Sequence, residues 1–303
     1  MNITVCIPTL NAHETAPQLI QSLSEQTQQP DSIIVIDSAS DDDTREQFFA
    51  AGATVYTIER CNFNHGGTRQ LVVEMVPNAD LVIFLTQDAV LADRLALESL
   101  ARCFRDRSIA AAFGRQLPRL GAGHIEAHAR IFNYPGTSRV TGLDDRKTMG
   151  IKAAFISNSF AAYRRAELLA AGGFPTHLIL GEDTYVAAKM LLAGKKIAYC
   201  AEATVYHSHD YGFAEEFRRY FDTGVLHARE PWIRARFGNA EGEGLRYIKS
   251  EMAYLWKKNP FLIPSSVLRT GCKYLGFRMG LRESLLPLWL KRRLSMFRGY
   301  WAS

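Results

Sequence analysis

The chain has 303 residues, of which 47% are hydrophobic and 22% charged, a balance typical of globular proteins and outside the disordered, collagen-like and disulfide-scaffold ranges. That length accommodates one large domain, or one domain with a substantial appendage. The net charge of +5 is unevenly spread, +8 over residues 240–303 and −3 over residues 1–239, so the C-terminal part favours a polyanionic surface, either a membrane leaflet or a nucleic acid.

In chain order, short β-branched runs alternate with helical patterns, which predicts an α/β fold with a mostly parallel, twisted sheet flanked by helices. Strands are expected at Asn2 to Ile7, Ser32 to Ile36, Ala53 to Ile58 and Leu81 to Leu85, the last short and apolar enough to be buried on both faces. Leu19, Ile20 and Leu23 recur at helical spacing after Pro17, and Asp93 to Phe104 has helical periodicity. Further strands are expected at Ala110 to Phe113, Phe160 to Tyr163 and Lys196 to Cys200, with a helix from about Asp183 to Leu192 ended by Gly194. Beyond Tyr211 the pattern turns helical. Phe213, Phe217 and Phe221 recur every four residues, and Leu281, Leu285, Leu288 and Trp289 form a second apolar stripe beside Arg282, Lys291, Arg292 and Arg293.

No run approaches the roughly 18 apolar residues that span a bilayer, and the N-terminus lacks the basic start and long apolar stretch of a signal peptide. The expectation is a cytoplasmic protein. The five cysteines are widely spaced and form no Cys-x-x-Cys pair, so reduced thiols are expected, without a zinc site or disulfide framework.

Five groups of residues could carry chemistry. Asp37 ends an apolar strand and opens the polar run Ser38 to Thr44, a position from which an acid can accept hydrogen bonds from a ribose or base; Asp41 to Asp43 read as helix-start acids. Asp88, in Thr86-Gln87-Asp88 after another strand, can hold a divalent cation against a diphosphate. Between them, His65-Gly66-Gly67-Thr68-Arg69 combines glycines that admit close backbone approach, a helix start at Thr68 and a guanidinium fork. Glu182-Asp183 precedes a helix and offers a general base. Downstream, His207 and His209 lie on one side of an extended segment, where one of them could complete a metal shell or contact phosphate.

Taken in order, Ile7-Pro8-Thr9-Leu10-Asn11, Val35-Ile36-Asp37, Thr86-Gln87-Asp88 and Glu182-Asp183 resemble the inverting family-2 glycosyltransferases of the GT-A fold, over roughly residues 2–210. Phe63 to Arg69, Gly114 to Pro118, Phe132 to Pro135, Ser157-Asn158-Ser159 and Tyr206 to His209 narrow the likeness to the bacterial rhamnosyltransferases of that family. The resemblance implies a nucleotide-sugar-binding and catalytic domain over 1–210 and a basic helical region over 211–303 that meets the acceptor or a membrane surface. It implies that Pro8, Thr9, Asn11, Asp37 and Ser38, with His65, Gly66, Gly67, Arg69, Thr86 and Gln87, bind the nucleotide sugar. It further implies that Asp88 and His207 hold Mg²⁺ or Mn²⁺, and that Asp183 is the base with Glu182 beside it. Thr86 stands where the family's Asp-x-Asp motif has its first acid.

The implied reaction moves L-rhamnose from dTDP-L-rhamnose to a saccharide or lipid-linked saccharide in surface polysaccharide synthesis, at the inner face of the plasma membrane. Other nucleotide sugars, with UDP or GDP, are the nearest alternative. Readings from other classes are a nucleic-acid binder acting through the basic tail, a metal hydrolase built on His207, His209 and Asp210, and a nucleotidyltransferase. The first lacks a recognised binding motif, so no nucleic-acid partner is expected.

Overall fold

The computed structural model describes residues 1–238 and 242–301. Among these, the strands are β1 (Ile3–Thr9), β2 (Ser32–Asp37), β3 (Thr54–Thr57), β4 (Leu81–Leu85), β5 (Val90–Leu91), β6 (Ile109–Leu117), β7 (Arg139–Thr141), β8 (Phe160–Arg164) and β9 (Lys196–Tyr206). They form one sheet in the order β3-β2-β1-β4-β8-β6-β9-β5, with β7 also paired to β9. The helices are α1 (Ala16–Ser24), α2 (Thr44–Ala50), α3 (His65–Met75), α4 (Ala96–Arg102), α5 (His124–Asn133), α6 (Arg146–Met149), α7 (Arg165–Ala170), α8 (Glu182–Leu192), α9 (Phe213–Arg229), α10 (Pro231–Phe237), α11 (Glu243–Lys258), α12 (Ile263–Gly280) and α13 (Leu288–Leu294).

Alternation along the strands explains the layers. Val5 and Ile7 of β1 and Leu81, Ile83 and Leu85 of β4 face α1, α2 and α4, while Cys6, Val82 and Phe84 face α3, α7 and α8. Both faces are covered, and the strand sequences are accordingly apolar at nearly every position. All seven strands expected from the sequence are present within a few residues. The sequence gives no signal for β5 and β7, because two or three residues cannot display an alternation.

The sheet is more mixed than "mostly parallel" suggests. β1 pairs parallel with β2 and β4, β2 with β3, and β6 with β9. β8 runs antiparallel to both β4 and β6, and β5 and β7 run antiparallel to β9. A strand buried on both faces reads the same in either direction, so periodicity cannot orient it.

One irregularity shapes the site. β6 and β9 run in register from Ala111 and Ile197 to Gly114 and Cys200, after which Arg115 pairs with Thr204, so residues 201–203 form a bulge in β9. Gly114 is required there: a Cβ would lie 2.5 Å from the Ala203 carbonyl oxygen and 2.3 Å from the Phe160 ring. Such bulges re-aim a strand. Past this one, β9 also pairs with β5, Tyr206 opposite Val90, which brings His207 to the turn between β4 and β5.

The helical C-terminal region is present, with one correction. The stripe from Leu281 to Trp289 does not lie on one helix. Leu285 ends the 3₁₀ turn Glu283–Leu285, and α13 starts only at Leu288, because Pro287 between them cannot continue a helix.

Candidate active site

The topology assembles the site at one sheet edge. Thr9 at the end of β1 pairs with Asp37 at the end of β2, β4 runs alongside β1, and Leu85 is opposite Phe160, the first residue of β8. The turns holding Leu10 and Asn11, Thr86 to Asp88, Ser157 to Ser159 and His207 therefore share this edge. Ligands of open α/β sheets bind beyond such strand ends.

At the β1 end, Gln87 accepts from Leu10 N at 2.7 Å and donates to Leu10 O at 3.1 Å, clamping the loop after Pro8 to the turn after β4. Asp37 departs from expectation. It is fully buried and accepts from Thr9 Oγ1 at 3.0 Å, Ser40 N at 2.8 Å and Ser40 Oγ at 2.5 Å, so its oxygens hold the turn and do not face a base. Ser38 is buried too, while Leu10, Asn11 and Asp41 are among the residues that remain exposed at this end.

The glycine segment is also explained from within. α3 starts at His65, not Thr68, and Gly67 N donates to the N-cap Asn64 side chain at 2.8 Å. A Cβ on Gly66 would lie 1.8 Å from the Pro175 carbonyl oxygen, so that glycine admits protein backbone, not phosphate. Arg69 is buried and reaches Glu182 at 3.1 Å and His65 O at 2.9 Å. Its fork is directed inward.

That inward pairing sets up the acid pair at the start of α8. Glu182 is buried and accepts from Asn158 Nδ2 at 2.9 Å. Burial alone would raise its carboxyl, but the Arg69 charge and the Asn158 hydrogen bond outweigh burial and lower it. The next residue, Asp183, keeps some accessible surface and accepts from Thr184 N at 2.6 Å and Asn158 N at 3.3 Å. Burial, then the Glu182 charge, push its carboxyl up to about 7. Two adjacent acids have thus been driven apart, one held ionised and one poised to exchange a proton near neutrality. His65 behind them is pushed down to about 4 by burial and stays neutral.

A second cluster surrounds Asp88. Arg119 Nη2 is 2.5 Å from Asp88 Oδ2, His207 Nε2 is 3.4 Å from Oδ1 and His209 Nδ1 is 3.8 Å from Oδ2. Burial lowers both imidazoles, His209 to about 4.

The tautomer of His207 follows from its neighbours. Arg130 Nη1, which can only donate, is 2.5 Å from Gln116 Oε1, and Gln116 Nε2 is 2.9 Å from Ser157 Oγ. The amide oxygen is thereby identified. His207 Nδ1 is 3.0 Å from that oxygen, so Nδ1 carries the hydrogen and the Nε2 lone pair faces the Asp88 carboxylate. Two electron pairs meet with no hydrogen between them, an arrangement that a divalent cation satisfies. One ligand atom each from Asp88, His207 and His209 lies within 4.8 Å of the others, and the Gln116 bond is the kind of outer support that metal-binding histidines use. The residues fit the cation: histidines supply ligands that Thr86 does not. Asp210, by contrast, is exposed and faces Arg269 at 3.7 Å, outside this cluster, so the set His207, His209 and Asp210 is not assembled.

Beside the cluster is an open cleft of about 400 Å³ whose lining includes Arg119, Glu126, His209, Tyr211 and Glu215. Arg119 and Arg130 escaped the sequence reading. An arginine in a loop or on an amphipathic helix carries no signal that separates it from a surface cation.

An acid pair and an acid–imidazole cluster thus lie at one edge of a mixed sheet. Comparison makes this specific: the chain belongs to glycosyl transferase family 2, whose pattern matches residues 4–169, and it is a glycosyltransferase. It is 49% identical to the O-antigen chain rhamnosyltransferase RfbN of Salmonella typhimurium, over 99% of this chain and 96% of that protein. It is 46% identical to the O-antigen chain rhamnosyltransferase WbaN of Salmonella anatum, with the same coverage of each. Among solved structures it is similar to the mannosyltransferase PcManGT of Pyrobaculum calidifontis in complex with GDP-Man and Mn²⁺ (TM-score 0.58, 18% identity, 99% of this chain and 85% of that one). It is also similar to residues 1–349 of S. aureus TarS in complex with UDP-GlcNAc (TM-score 0.54, 15% identity, 94% and 91%). These two likenesses bear out the GT-A-type fold.

Proposed function

We propose that the protein transfers L-rhamnose from dTDP-L-rhamnose, with inversion, to a saccharide or lipid-linked saccharide acceptor during assembly of a surface polysaccharide. The sugar and the pathway rest on the two rhamnosyltransferases to which the whole chain is similar. The chemistry rests on one observation: a single sheet edge carries an acid tuned near neutrality and, across Ser157 to Ser159, a carboxylate–imidazole pair that lacks a hydrogen to share.

In this mechanism Asp183 accepts the proton of the acceptor hydroxyl as that oxygen attacks the anomeric carbon. Glu182, kept ionised by Arg69, raises the proton affinity of Asp183 and stays out of the proton transfer itself. Asn158 orients both acids through its side-chain and backbone N–H groups. Asp88, His207 and His209 would hold the metal, Mn²⁺ in preference to Mg²⁺ because two of the three ligands are imidazoles. A divalent cation there supplies Lewis-acid neutralisation of the diphosphate as it leaves. Arg119 and Arg130 add positive charge beside the same group. One base and one displacement invert the anomeric centre.

The test is release of dTDP from dTDP-L-rhamnose in the presence of Mn²⁺ and an acceptor extract, against UDP- and GDP-sugars. Transfer from a UDP- or GDP-sugar, with none from dTDP-L-rhamnose, would refute the assigned donor.

A further inference from the structure

α12 has two unlike faces. On the inner one, a Cβ at Gly276 would lie 2.3 Å from the Phe217 carbonyl oxygen, and at Gly280 2.0 Å from that of Phe221, so α12 meets α9 backbone to backbone. At about 100° per residue, Val267, Leu268, Tyr274, Leu275 and Arg278 fall on the opposite arc, and all five are exposed. Phe261, 91% exposed, leads into this helix, and Trp256, 73% exposed, lies near the end of α11.

The charge around these side chains has one sign. Residues 252–301 contain ten Lys and Arg and a single acid, Glu283, which is buried between Arg229 and Lys291. Lys257, Lys258, Arg278 and Arg282 are exposed.

We propose that the outward face of α12, with Phe261 and Trp256 at its N-terminal end, docks on an anionic phospholipid leaflet. An apolar stripe flanked by cations is the pattern that lies in a membrane interface, with side chains among the acyl chains and cations at the headgroups. Among the described residues no helix is long and apolar enough to cross the membrane. A second copy of the chain would set this all-cationic surface against itself, and a nucleic acid would leave Val267, Leu268 and Leu275 without a partner. The purpose of such docking, access to a lipid-linked acceptor, rests on the function proposed above; the docking itself does not.

Co-sedimentation of the full-length chain with vesicles tests this, without donor or acceptor. The protein is expected to pellet with vesicles of phosphatidylcholine mixed with phosphatidylglycerol, less so as salt rises, and to stay in solution with phosphatidylcholine alone. Leu268→Glu with Leu275→Glu should lower partitioning roughly tenfold or more, and Arg278→Gln with Arg282→Gln should do the same. Both double variants should keep nucleotide release with a soluble acceptor, since none of these residues is in the site. Equal recovery with the two vesicle types would overturn the proposal. So would partitioning that both double variants retain, or a dimer in sedimentation velocity that the leucine pair abolishes while vesicles recruit nothing. Failure of sugar transfer in the unaltered protein would count against the function and leave the vesicle result standing.

Discussion

Asp183 binds its proton more tightly in the folded chain, near 7, than at its ordinary value of 3.8. Between those values the native state holds more protons than the unfolded one, so the contribution of this group to stability is full below about 4 and is lost as pH rises through about 7. Transfer requires the opposite state. The rate should therefore climb between pH 6 and pH 8 with a midpoint near 7, while the melting temperature loses the share due to this group. Asp183→Asn separates the two effects: it should abolish transfer, leave donor binding measurable by calorimetry, and melt higher than the parent at pH 8 but not at pH 5. A loss of donor binding would instead move Asp183 from catalysis to recognition. Gln116 offers a second residue-scale test. Gln116→Leu removes the acceptor that fixes the His207 tautomer, and Mn²⁺ affinity read by calorimetry or electron paramagnetic resonance should fall roughly 10- to 100-fold.

Glycines decide how elements meet. Gly280→Ala places a methyl group 2.0 Å from the Phe221 carbonyl oxygen, which neither helix can relieve without moving apart; a cost of about 1–3 kcal/mol is expected from urea unfolding. Gly271 is on the same helix but its added Cβ would meet nothing within 4 Å, so Gly271→Ala should stabilise by roughly 0.5–1 kcal/mol. Opposite signs in one helix would show that the contact with α9, not helix propensity, governs α12. The same reasoning applies to Gly66 and Gly114, whose neighbours are the Pro175 carbonyl and the β9 bulge. In the sequence these glycines look like phosphate-loop residues or strand weaknesses, and nothing local says which backbone will approach.

Across the whole molecule, the C-terminal segment closes back on the site. Asp222 accepts from Met296 N at 2.8 Å and Phe297 N at 3.3 Å, and the Phe297 ring stands edge-on to His65 at 4.5 Å. A residue more than a hundred positions from the acid pair thus packs on the imidazole beside it. Phe297→Ala should destabilise by roughly 3 kcal/mol and, by wetting the acids, move the midpoint of the pH–rate curve below that of the parent. An unchanged midpoint with lowered stability would reduce Phe297 to packing alone.

What the amino-acid order determined by itself was the periodic part: strands β1 to β4, β6, β8 and β9, the helical C-terminal region, and the acids Asp37, Asp88 and Asp183 at element ends, because alternation and turn chemistry are local. Which of those acids stays accessible was settled only by tertiary structure. Asp37 is consumed by its own turn, Arg69 turns inward to Glu182, and His209 joins Asp88 because a bulge in β9 redirects the chain. Burial and the sharing of donors among distant residues set proton affinity and ligand geometry, and neither quantity exists until the chain has folded.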